Sequence, residues 1–76
     1  MELNKFFENF AAQFEETDAS AFTPETAFRD LDEWSSMQAL SIIAMVDEEY
    51  GVKIKGDDIR DSVTIQHLFD IVKSRM

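Results

Sequence analysis

Apolar residues at Leu3, Phe6, Phe7, Phe10, Ala11 and Phe14 recur at i, i+3, i+4, i+7, i+8 and i+11. That spacing gathers them on one stripe of a helix, while Glu2, Lys5, Glu8, Asn9, Gln13 and Glu16 fill the opposite face. The pattern predicts a helix over residues 2–16, ending where Thr17-Asp18-Ala19-Ser20 turns polar. Ile65, Leu68, Phe69, Val72 and Met76 follow Thr64 at the same kind of spacing and predict a last helix. Lys73 and Arg75 fall at its end, where the helix dipole favours cations.

Between these stripes the signals are punctuation as much as periodicity. Ser35-Ser36-Met37-Gln38 reads as a capping box, with Ser35 as N-cap and Gln38 three positions on. The helix it opens is expected to run through Tyr50 and stop at Gly51. Residues 17–34 form a long connection, in which Phe22, Phe28, Leu31 and Trp34 are candidate core anchors. Thr23-Pro24-Glu25 within it looks like a capped turn with proline at a first helical position. Val52-Lys53-Ile54-Lys55 alternates as a short extended piece would, and Asp57-Asp58-Ile59-Arg60-Asp61 predicts one helical turn with acids at its positive end. The expected fold is all-α: a small four-helix bundle of three long helices and one short, with a long first loop, as a single domain over residues 1–76.

Composition narrows what such a bundle does. The chain has 76 residues, 16 acidic and 7 basic, for a net charge of −9. Nucleic acid is a poor partner for that charge, because its recognition rests on neutralising phosphates with Lys and Arg. Partners with basic surfaces suit it better. Several acids, Asp30, Asp32, Glu33, Asp47, Glu48, Asp57, Asp58 and Asp61, are expected to crowd near the second helix and repel one another. With no cysteine and one histidine, His67, there is no disulfide framework, no thiolate chemistry and no catalytic residue to assign. His67 is expected to be a structural or surface residue, and Asp57, Asp58 and Asp61 lack the ligand spacing of an EF-hand, so no metal site is expected. The start of the chain lacks a basic stretch followed by an apolar run, and the longest apolar run covers only residues 42–46. The chain is therefore expected to be cytoplasmic, without a signal peptide or a membrane span.

That run of residues 42–46 cannot all face one core. At ~100° per residue, Ala39, Ile42, Ile43, Val46 and Tyr50 share one arc of the second helix, the core stripe. Met37, Leu40 and Ala44 fall on a neighbouring arc together with Ser36, Asp47 and Glu48. Met37 and Leu40 are either extra core under the long loop or the centre of a docking surface with an acidic rim. Ser36 is free for chemistry if Ser35 caps the helix, and partly engaged if it is itself the cap.

The chain resembles the acyl carrier proteins over nearly its whole length. Phe28-Arg29-Asp30-Leu31-Asp32-Glu33-Trp34-Ser35-Ser36-Met37 is similar to the family's Asp-Leu-Gly-x-Asp-Ser-Leu stretch. Asp47-Glu48-Glu49-Tyr50-Gly51-Val52-Lys53-Ile54 is similar to its acidic helix end, and Asp57-Asp58 and Ser62-Val63-Thr64-Ile65-Gln66 to its third-helix acids and fourth-helix start. The usual aspartate before the serine is Ser35 here, the loop glycine is replaced within Asp32-Glu33-Trp34, and Gln38 and Ser41 stand where members often carry acids.

The resemblance implies a non-catalytic carrier. By position, Ser36 aligns with the serine that receives 4′-phosphopantetheine from coenzyme A. Met37, Leu40, Ala44, Asp47 and Glu48 align with partner-facing positions. The implied partners are a phosphopantetheinyl transferase and acyl-loading and chain-elongating enzymes with basic docking surfaces, met by a monomer. The implied function is to tether acyl intermediates as thioesters for fatty acid or related biosynthesis. Alternatives are an aminoacyl or specialised acyl carrier of a secondary pathway, suggested by Trp34 and Ser35, or an unmodified carrier-like helical interaction module.

Overall fold

The computed structural model describes residues 2–76. Four helices follow one another: α1 (Leu3–Ala11), α2 (Ser36–Tyr50), α3 (Gly56–Asp61) and α4 (Ile65–Ser74). Two single 3-10 turns, Ala19–Ala21 and Phe28–Asp30, lie in the connection between α1 and α2. α2 packs on α1 and α3, and α4 closes the bundle by packing on the same two. The arrangement is the all-helical, four-helix one that the spacing predicts.

The core is one cluster. Phe6 and Phe10 of α1, Phe28 of the connection, Ile42 and Val46 of α2 and Ile65, Leu68 and Val72 of α4 are fully buried in it. Phe22, Leu31 and Trp34 pack against it from the long connection, so that segment is anchored as its apolar residues predict. Of the expected α2 stripe, Ala39, Ile43 and Tyr50 lie half-buried at its edge. Met45, outside that stripe, is buried. It sits three residues after Ile42 on a helix that packs on neighbours at two sides, so its apolar arc is wider than one stripe.

Three expectations are corrected. Helix α1 stops at Ala11 rather than reaching residue 16. Its end tightens into turns, with Gln13 N donating to Phe10 O at 3.1 Å and Phe14 N to Ala11 O at 3.0 Å. The next amides, of Glu15, Glu16 and Thr17, donate to the Glu33 carboxylate, at 2.9 Å for the nearest oxygen to Glu15. A helix would need those N–H groups for its own carbonyls. Phe14 stays in the core all the same.

Thr23-Pro24-Glu25 makes the expected turn, but its proline opens no helix: Thr26 N donates to Thr23 O at 3.0 Å, and Thr26 Oγ1 accepts from Thr23 N at 2.8 Å. The turn has a use nonetheless. Its Pro24 and Thr26 carbonyls accept from Gln66 N at 3.0 Å and Ile65 N at 3.2 Å, satisfying amides that begin α4 without a partner in their own helix. Met76, third, is exposed, because α4 ends at Ser74 and the stripe ends with it.

The remaining boundaries follow their caps. Gly51 closes α2 in the left-handed region at φ 66°, its N–H donating to Asp47 O at 2.9 Å. Val52 and Ile54 are buried and Lys53 and Lys55 exposed, the alternation expected of the piece leading to α3. Thr64 caps α4, accepting from His67 N at 3.1 Å. His67 is exposed, with Nδ1 accepting from Val63 N at 3.4 Å. No helix of the described residues is long and apolar enough to cross a membrane.

Candidate functional site

The start of α2 is built by the loop before it. Ser35 is extended (φ −157°, ψ 175°) and its hydroxyl accepts from Gln38 N at 3.3 Å, so Ser35 is the N-cap. The reciprocal half of a capping box is not made. Gln38 turns its amide to Glu33, with Nε2 donating to Oε2 at 3.3 Å. Ser36 is therefore the first helical residue. It is exposed, and its hydroxyl makes no hydrogen bond among the described residues. Of the two serines one is spent on the backbone and the other is not.

Glu33 ties this start to the rest of the molecule. Besides the three amides after α1, its carboxylate accepts from Thr17 Oγ1 at 2.7 Å. The Thr17 hydroxyl above all, joined by the amides of Glu15, Glu16 and Thr17, holds the Glu33 carboxyl below the ordinary value of 4.5, against desolvation, which outweighs any one of the amides. One charged side chain thus ties the loop before α2 to the segment after α1 with hydrogen bonds.

Beside Ser36 lies an open groove of about 550 Å³. That volume is in the range of small-molecule sites. Trp34, Ala39, Leu40, Ile43 and Ile59 give it apolar walls, Gly56 lies on the α3 side, and Arg29 and Arg60 stand on it with Ser35 and Ser36. α3 forms the far wall and is tied to α4 by Asp58, whose two oxygens each accept from Arg75 at 2.7 Å. Asp58 Oδ2 also accepts from Lys55 N at 2.9 Å. The Arg75 pair, then the Lys55 amide, lower the Asp58 pKa, and Asp58 in turn raises that of Arg75. Asp57 pairs with Arg60 one helical turn on. Of the acids expected to crowd near α2, Asp57 and Asp58 are thus offset by arginines, whereas Glu33 is held by neutral donors and keeps its charge. Among the described residues no group of three or more metal-ligating side chains comes together.

The outer arc of α2 is as the angular pattern places it. Met37 is 77% exposed and Leu40 65%, and Ala44, Asp47 and Glu48 are exposed as well. Extra core is thereby excluded for Met37 and Leu40, although Leu40 also borders the groove. The groove itself was not legible from the sequence. Its lining comes from the connection, α2 and α3, which meet there only through tertiary packing. Arg29 and Arg60 carry no local signal beyond their charge.

This small helical domain has an exposed, uncommitted hydroxyl at a helix start, beside an apolar groove. Residues 6–72 match the family described as "Phosphopantetheine attachment site", and the chain belongs to that family. No curated protein and no solved structure gives a significant match. The domain is a phosphopantetheine carrier. It is not itself an enzyme, and it is modified by a phosphopantetheinyl transferase and served by carrier-processing enzymes. The prosthetic group is covalent 4′-phosphopantetheine. The residues present fit it: the attachment chemistry needs a free hydroxyl within an enzyme's reach, and the exposed Ser36 at the groove provides one.

Proposed function

We propose that Ser36 carries the arm and that the protein tethers acyl intermediates for fatty acid or related acyl assembly. The observation that carries this is the division of labour at the start of α2, where Ser35 caps the helix and leaves the Ser36 hydroxyl exposed. The first turn of α2 contains no acidic residue, and its backbone N–H groups favour the phosphate that the attachment places there. Neither histidine nor lysine lines the groove, so the Ser36 proton leaves to a base of the transferase. Ser36 Oγ then bonds to the phosphorus on the pantetheine side of coenzyme A, and the pyrophosphate bridge breaks with the nucleotide leaving. The bound arm supplies a thiol that holds an acyl group as a thioester.

Met37, Leu40 and Ala44, rimmed by Asp47 and Glu48, form the docking face in this reading. The net charge of −9 steers it toward basic surfaces in short-lived encounters. Tethering raises the effective concentration of the intermediate at each active site it visits. In this reading residues 1–76 act as one carrier domain, monomeric and in the cytoplasm.

Intact-mass measurement after incubation with coenzyme A and a broad-specificity transferase tests the attachment. Wild type and Ser35→Ala gain one phosphopantetheine, and Ser36→Ala gains none. An unmodified wild type, or a modified Ser36→Ala protein, refutes it. A panel of loading enzymes tests the cargo: exclusive aminoacyl loading replaces the fatty acyl assignment by the aminoacyl one.

A further inference from the structure

The three arginines of this chain are not equivalent. Arg60 pairs with Asp57 and Arg75 with Asp58, whereas Arg29 has no ion-pair partner among the described residues. Arg29 nevertheless stands on the groove that Ser36 lines. A free cation at this place runs against the charge of a chain that is −9 overall.

Its backbone is held there. Arg29 is the middle residue of the Phe28–Asp30 turn, and Phe28 before it is fully buried. The Phe28 ring meets Trp34 edge-on at 5.1 Å, and Trp34 N donates to Leu31 O at 3.0 Å. The stretch from Arg29 to the start of α2 is thus pinned at both ends, leaving the guanidinium on its flexible stem as the mobile part.

We infer that Arg29 pairs with the phosphodiester of the arm and seats its root at the mouth of the groove. The inference rests on attachment at Ser36. That attachment puts a permanent anion beside a groove whose two cations differ, one paired and one free. A guanidinium matches phosphate oxygens with parallel N–H donors, and charge-assisted bonds of this kind are stronger than neutral ones. Arg29 is a positioning residue: it touches the arm at its phosphate, far from the thiol, and directs the chain beyond it along the apolar walls instead of out into solvent.

NMR of the protein with and without the arm, carrying no acyl group, provides the test. The Arg29 Nε–H signal is expected to shift on loading while that of Arg75 stays in place. The phosphorus signal of loaded Arg29→Gln is expected to move from its wild-type position, Arg29→Lys to recover part of the shift, and Arg60→Gln to match wild type. An Arg29 signal identical with and without the arm, or the same phosphorus signal in wild type and Arg29→Gln, overturns the inference. Loading that succeeds at Ser36 with Arg29 unmoved overturns it alone, whereas a chain that accepts no arm at Ser36 overturns both it and the proposed function.

Discussion

The side of the molecule formed by α1 and the connection to α2 is built differently from the side formed by α2 and α3. On the first, Phe6, Phe10, Phe14, Phe22, Phe28 and Trp34 make a continuous chain of ring contacts, with centroids from 5.1 to 6.3 Å apart. Glu33 adds its fan of hydrogen bonds there. On the second, aliphatic residues line an open groove, and its outer wall is a helix of 6 residues. Aromatic pairs add to the burial of their own area, so the closed side carries a large share of the stability. The lesson is one of separation: a domain this small keeps an open face by concentrating its packing on the opposite one.

The largest expected effect is on the closed side. Phe10→Ala, at a fully buried position touching Phe6, Phe14, Phe22 and Phe28, should cost about 3–5 kcal/mol in urea unfolding. Ile43→Ala, half-buried on the groove wall, should cost about 1–2 kcal/mol, since less area and a smaller cavity are involved. Equal losses would erase the contrast between the sides.

An intermediate effect comes from Glu33. Its pKa is lowered in the folded state, so the stability it contributes is present above its ordinary value of 4.5 and is lost as pH falls through the lower folded value. Glu33→Gln should therefore melt below wild type at pH 7, and the gap should close as the solution is acidified. A gap that holds constant down the titration would show that the charge is not what clamps the loop.

The smallest stability effect is expected on the open face. Met37→Ala and Leu40→Ala should change stability by no more than about 0.5 kcal/mol, because both side chains already face solvent. Each should nonetheless raise the KM of the transferase for this protein. Unfolding comparable to that of Phe10→Ala would place these residues in the core after all.

Much of this contrast was legible in the sequence, for reasons that differ by residue. α2 was readable at both ends because its signals are local: Ser35 caps it, and only a glycine takes the Gly51 conformation without strain. The angular pattern put Met37 and Leu40 beside the core stripe and left extra core open, which their exposure excludes. The end of α1 was not readable, since Phe14 continues the stripe while the group that stops the helix, Glu33, arrives from 18 residues away. Met45 was missed because one stripe was counted on a helix with two packed sides. The groove and its free arginine belong to tertiary packing, which periodicity does not encode.

Trp34 sits where the two sides meet, stacked on Phe14 at 6.3 Å and lining the groove beside Ser36. It is the sole tryptophan of the chain, so its fluorescence is a label the protein already contains. Emission that shifts on loading of the arm or of a cargo, before any denaturant is added, reports occupancy. Emission that shifts on unfolding reports the aromatic chain coming apart.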